Sequence, residues 1–185
     1  MKQHGMKLPS DKTYISIPGA KEILKNAMDY FIGCEKKKAV WVPEYNEVAE
    51  WLENNQGRGL LLYGNCGRGK SILCRYAIPA IMLKYARKVV SVFDVTDMNN
   101  NIDEVLRKHI LSLDDIGTET VKNNYGEKRI AFAEIMDSAE KFGKLVIIST
   151  NLSGKEISER YGERVYDRLI STTKRVMFKG ESLRK

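Results

Sequence analysis

The chain has 185 residues, 43% of them hydrophobic and 30% charged, which is enough apolar material for one packed domain and too little length for two. Thirty-one Lys and Arg against 24 Asp and Glu leave a net charge of +7, a surplus that attracts polyanions and argues against an acidic, disordered chain. No apolar run approaches the roughly 18 residues of a membrane span, and Met1-Lys2-Gln3-His4-Gly5 lacks the apolar stretch of a signal peptide, so neither a membrane protein nor a secreted one is expected.

Along the chain, Ile23, Leu24, Ala27, Met28, Phe31 and Ile32 recur at helical spacing after Pro18, and Gly33 stands where a helix would stop. A second helix is expected to begin at Pro43, whose fixed φ suits a first turn. It sets Glu44, Glu47, Glu50 and Glu53 beside Tyr45, Val48, Trp51 and Leu52, and ends within 54–59. From there, apolar runs of strand length at 60–63, 89–93, 110–113, 145–149 and 175–178 alternate with helical patterns at 70–86, 102–108, 128–142 and 156–169. That alternation predicts a parallel sheet. Pro79 predicts a kink or break near Ala77, because proline removes a helical N–H and clashes with the preceding turn.

After the first strand comes Gly64-Asn65-Cys66-Gly67-Arg68-Gly69-Lys70-Ser71, which fits G-x-x-x-x-G-K-[ST] in the required strand, loop, helix order. Glycines let such a loop turn its amides inward on phosphate oxygens, and the following helix adds its positive end. Lys70 then reaches the β- and γ-phosphates, and the Ser71 hydroxyl ligates Mg²⁺, so ATP and Mg²⁺ are the expected cofactors. Cys66 reads as a passive loop position. With Cys34 and Cys74 it makes no C-x-x-C pair, and only His4 and His109 could join these thiols as ligands. A zinc site and a disulfide framework are therefore not expected, and a cytoplasmic location is.

Hydrolysis also needs a carboxylate for the metal and a group that polarises water. Asp114 and Asp115 close the run Leu111-Ser112-Leu113 at a strand's C-terminal end, where ligands gather in open α/β sheets. Asp114 is expected to hold Mg²⁺. Asp115 is expected to polarise the water, with its side chain on the opposite face because strand side chains alternate. Asp94 and Asp97 read as turn formers. Asn151 follows the strand Leu145 to Thr150 and could sense the γ-phosphate through its amide, or simply make a turn. Arg160, Arg164 and Arg168 lie four apart on one predicted helix face that Gly162 could interrupt. They are either arginines delivered to a neighbouring subunit's γ-phosphate or surface residues paired with Glu159, Glu163 and Asp167.

Taken in order, Trp51-Leu52-Glu53-Asn54, the loop of 64–71, Asp114-Asp115-Ile116-Gly117, Ser149-Thr150-Asn151-Leu152, the segment from Gly162 to Leu169 and Gly180-Glu181-Ser182-Leu183-Arg184 resemble the DnaC/IstB-like branch of the AAA+ ATPases. That branch contains bacterial and phage loaders of the replicative helicase and transposition helper ATPases. The resemblance spans about 48–184. It implies an α/β P-loop NTPase fold of AAA+ type, a three-layer sandwich around a five-stranded, mainly parallel sheet. The ATPase domain would cover 41–185 and follow a short helical extension over 1–40 that offers a partner-binding segment. The last predicted strand lies so near the chain's end that no C-terminal lid domain is expected.

By the same resemblance Lys70 and Ser71 are the Walker A contacts, and Asp114 and Asp115 the Walker B pair. Asn151 is the first sensor, Arg168 the arginine finger with Arg164 its partner, and Arg184 a nucleotide contact from its own subunit. Asp115 stands where many AAA+ proteins have Glu, and its shorter arm implies slow turnover. The implied activity is a Mg-dependent ATPase that loads or assists a replicative helicase on single-stranded DNA, with weak self-association through the ATP interface. Lys84, Arg87, Lys88, Lys122, Lys128 and Arg129 are available to the DNA backbone. A transposition helper that binds duplex DNA, a self-contained P-loop kinase and a non-hydrolysing scaffold are the alternatives. The first two are separated by neighbouring genes and by the absence of an Arg-rich lid, and the third by measured turnover.

Overall fold

The computed structural model describes residues 12–118 and 130–184. In chain order the elements are α1 (Ala20–Cys34), α2 (Glu44–Glu53), β1 (Gly59–Gly64), α3 (Lys70–Ile72), a π-helical turn (Leu73–Ala77), α4 (Ile78–Ala86), β2 (Ser91–Asp94), α5 (Val95–Asn100), α6 (Ile102–Arg107), β3 (Ile110–Ile116), α7 (Ala131–Phe142), β4 (Leu145–Thr150), α8 (Gly154–Tyr161), α9 (Glu163–Thr172) and β5 (Thr173–Phe178). The five strands form one sheet in the order β2-β3-β4-β1-β5, and each neighbouring pair is parallel. This is the α/β sandwich expected from the alternating pattern. Among the described residues no helix is long and apolar enough to cross a membrane.

Strand alternation divides the core in two. Leu60 and Leu62 of β1, Leu145 and Ile147 of β4, and Val176 and Phe178 of β5 face α1, α2 and α4. Leu61, Val146 and Ile148 face the opposite layer, with Leu111 and Leu113 of β3 packed against α5 to α9. Both faces of the central strands are buried, which is why those strands read as continuous apolar runs. α1 belongs to the first layer: Leu24 and Met28 are fully buried, and Phe31 and Ile32 pack against the same core. The chain before it is tied down by Asn55, which accepts from the Ile15 amide at 2.8 Å and donates to the Thr13 carbonyl at 2.9 Å.

The helix over 70–86 is interrupted where Pro79 predicts it. The Ile78 amide bonds to the Leu73 carbonyl, one residue further back than in an α-helix. That leaves the Cys74 carbonyl free of its α-helical partner, and Ser112 of β3 donates to it at 2.7 Å. The predicted helix over 156–169 is likewise two helices. Gly162 separates them with a φ of +92°, a conformation that costs other residues strain. α5 was not expected. Asp94 caps it by accepting from the Asp97 amide at 2.9 Å, so the pair read as turn formers instead starts a helix. The predicted start of the helix at 128 lies outside the described residues, as do Lys122, Lys128 and Arg129.

Candidate functional site

The C-terminal ends of β3 and β4 and the loop after β1 open onto one cavity of about 770 Å³. At its base Lys70 is buried and donates to the carbonyls of Gly64 at 2.8 Å and Asn65 at 2.7 Å. Burial holds its ammonium below the ordinary lysine value, with the Arg184 charge acting in the same direction and Asp115 opposing. A buried cation whose hydrogen bonds go to neutral carbonyls favours an incoming anion. Gly67 and Gly69, at φ +74° and +87°, allow the loop to pass close to its neighbours. A Cβ on Gly69 would collide with the Tyr45 hydroxyl, and one on Gly67 with the Ser182 side chain. The packing of the loop against Tyr45 and Ser182 therefore depends on these positions carrying no side chain.

Asp114, which also lines the cavity, is buried. The Ser149 hydroxyl donates to its Oδ1 at 2.5 Å, and the Arg75 guanidinium lies 3.6 Å from its Oδ2. The Asp115 amide donates to the same Ser149 oxygen at 2.9 Å, and Asn151 donates to Asp115 Oδ1 at 3.0 Å. Strict alternation would send Asp115 to the other side of the sheet, but both carboxylates line the cavity. The register explains the difference. Leu113 pairs with Ile148 and Ile116 with Thr150, so β3 carries one extra residue there, a bulge that re-aims side chains. Asp115 absorbs it at φ +62°, a conformation in which Asp is better tolerated than most residues.

Of the other residues singled out in the sequence, Cys66, Gly67, Gly69, Ser71, Asn151 and Arg184 also line the cavity. Gly64, Asn65 and Arg68 are not among its lining residues. The Asn65 side chain donates to the Gly180 carbonyl at 2.8 Å, and the Arg68 guanidinium pairs with Glu44 at 3.0 Å. Arg164 and Arg168 are also absent from this cavity. Arg164 is exposed on α9, and Arg168 reaches α7, where it pairs with Asp137 and, at 2.7 Å, with Glu140. Those partners replace the same-helix acids expected for Arg168.

Three contributors were missed. Arg75 follows Ser71 by one helical turn, a spacing that could have flagged it. The Ser149 hydroxyl, which joins both aspartates, sits in a run that reads only as strand. The wall formed by Ile32, Glu35, Lys37, Lys38 and Val40 belongs to the segment read as partner-binding, and only the fold brings it to the loop.

The donors present suit a hard divalent cation. Ser71 and Asp114 offer oxygens, and Mg²⁺ needs only one or two protein ligands beside substrate phosphates and water. Among the described residues no cluster of three or more His, Cys, Asp or Glu suggests a different metal site.

A family model described as "Nephrocystin 3, N-terminal" matches residues 38–148, more than half of the chain, and the chain belongs to that family. The match takes in Lys70, Ser71, Asp114 and Asp115 and ends before Asn151. No curated protein sequence matches the chain. Among solved structures, the DnaC helicase loader is similar at 22% identity and a TM-score of 0.64, over 84% of this chain and 98% of that one. DnaI is similar at 17% identity and 0.58, over 89% and 96%. AMPPCP-bound DnaA from Aquifex aeolicus is similar at 21% identity and 0.56, over 74% and 45%. The α/β fold with a parallel five-stranded sheet expected from the sequence is the fold these structures share with the chain.

Proposed function

We propose that this member of the nephrocystin 3 N-terminal family is a Mg-dependent ATPase of DNA replication that loads or assists a replicative helicase on single-stranded DNA through an ATP-controlled switch. The observation that carries the ATPase reading is the convergence of Lys70, Ser71, Asp114, Asp115 and Asn151 on one cavity. The likeness to the solved chain of the DnaC helicase loader, over nearly all of that chain, supports the choice of helicase loading. Exposed Lys84, Arg87 and Tyr85 at the end of α4 supply backbone charge and a stacking surface of the kind single strands use.

In this reading the loop amides and Lys70 bind the triphosphate. Asp115 accepts a proton as water attacks the γ-phosphorus and the bond to ADP breaks. The Asn151 amide, already bonded to Asp115, fixes the direction of that carboxylate. Ser149 orients both aspartates at once. Mg²⁺, which Ser71 and Asp114 would hold, supplies neutralisation of phosphate charge when bound.

ATP turnover per subunit should rise with protein concentration and rise further with single-stranded DNA, measured against Lys70→Ala as the blank. A flat, DNA-independent rate would overturn the loader reading in favour of a self-contained NTPase, and stimulation by duplex DNA alone would favour a transposition helper.

Cysteine labelling tests occupancy without turnover. Cys34 and Cys66 are exposed, Cys66 lines the cavity, and Cys74 is buried, with burial pushing its thiol well above the ordinary value. A maleimide should therefore modify Cys34 and Cys66 but spare Cys74. Saturating ATP should slow labelling at Cys66 by at least about tenfold and leave Cys34 unchanged, as read by peptide mass. Equal labelling of Cys66 with and without ATP would place the nucleotide elsewhere.

A further inference from the structure

We infer that Glu44 and Arg68 form a positioning pair that locks the segment 179–184 onto the phosphate loop, and that this lock sets where Arg184 stands over the cavity. The inference rests on the nucleotide-binding reading above and adds to it two residues whose side chains do not line the cavity. Arg68 occupies a variable position of the loop motif, yet its side chain is only 10% exposed and that of Glu44 only 9%. One guanidinium nitrogen donates to both Glu44 oxygens, at 3.0 and 3.1 Å, and another to the Glu181 carbonyl at 3.2 Å. Glu44 accepts in addition from the Lys179 amide at 2.9 Å. Burial raises the Glu44 pKa, but its own amide, the Lys179 amide and the Arg68 guanidinium together hold the carboxyl below the ordinary range.

The segment is held along its length. The Asn65 amide donates to the Phe178 carbonyl at 2.9 Å, the Asn65 side chain donates to Gly180, and the Leu183 amide donates to the Gly67 carbonyl at 2.9 Å. Behind the loop the Tyr45 hydroxyl donates to the Arg68 carbonyl at 3.0 Å. The C-terminal segment and the phosphate loop thus form one hydrogen-bonded unit joined by Glu44 and Arg68. Arg184, one residue beyond the last of these tethers, lines the cavity near Lys70. A buried ion pair is a weak source of stability but can fix geometry through its hydrogen bonds; the Arg68 guanidinium makes its bonds through its two terminal nitrogens, while its Nε is buried without a partner. Here the geometry fixed is the approach of a second cation to the triphosphate.

The test is a double-mutant cycle on the full chain, reading equilibrium binding of fluorescent ATP and ADP analogues. Arg184→Ala should weaken the ATP analogue about tenfold, the scale of one charge-assisted hydrogen bond, and the ADP analogue less. Glu44→Gln should weaken the ATP analogue to a similar degree. The double variant should bind no more weakly than Arg184→Ala alone, because Glu44 acts through Arg184. Multiplied effects in the double variant, or no effect of Glu44→Gln, would overturn the inference. If Glu44→Gln melts before it can be measured, Asn65→Ala removes an exposed tether to Gly180 without touching the buried pair and should show the same lack of additivity. Wild-type binding that Lys70→Ala removes keeps the nucleotide reading intact whichever way the cycle falls. A wild type that binds neither analogue overturns that reading, and the inference with it.

Discussion

Lys70→Ala is expected to weaken ATP binding roughly 100-fold, the loss of charge-assisted contacts worth about 2–3 kcal/mol, while the melting temperature shifts by no more than a few degrees. In the wild type the ammonium is buried and bonded to two loop carbonyls, so its charge is partly uncompensated until a phosphate arrives. Removing it gives up the attraction to ligand but also relieves a desolvated charge, and these effects oppose each other in the free protein. The same logic gives a pH dependence. Burial lowers the Lys70 pKa from the ordinary 10.5, and an anion beside it restores the charged form. The affinity gained from the lysine is therefore fully present while the free protein keeps Lys70 protonated. It is lost as pH rises through the lowered value towards that of the complex. Isothermal titration of wild type and Lys70→Ala across neutral and alkaline pH should show the two affinities converging as pH rises. Parallel curves would mean that Lys70 does not meet the phosphates.

Much of this arrangement is legible in the sequence because its causes are local. The strands at 60–63, 110–113 and 145–149 are apolar enough to be buried on both faces, and each appears within three residues of its predicted end. Gly162 and Pro79 mark their helix breaks by backbone chemistry that needs no partner. The loop of 64–71 declares itself through glycine spacing. What was not legible depends on pairing. The bulge that brings Asp115 beside Asp114 exists only in the register of β3 against β4, and a single strand carries no record of register. Arg68 finds Glu44 across 24 residues, and Arg168 finds Asp137 and Glu140 across 31 and 28. Each of these arginines has an acid nearer in sequence, and packing chose the distant one.

Arg168→Ala is expected to leave ATP affinity within about twofold of wild type and to reduce turnover roughly a thousandfold, the scale of an arginine supplied to a transferring phosphoryl group. The structure makes this a demanding test, because Arg168 already has a structural occupation. Its side chain is 13% exposed and bridges α9 to Asp137 and Glu140 of α7, which are themselves about half exposed. Ion pairs with exposed acids contribute about 1 kcal/mol or less, so losing them should lower the melting temperature by only a few degrees. A large loss of turnover with a small loss of stability separates the two roles. The site also lies away from the cavity of its own subunit, so an arginine acting there must act on a neighbour. An equimolar mixture of Arg168→Ala and Asp115→Asn should then regain activity that neither variant has alone, since one kind of interface in the mixture combines an intact Arg168 with an intact Asp115. No regain in the mixture, or turnover unchanged in Arg168→Ala, would leave Arg168 as a tether between α7 and α9 and remove its assignment as the finger.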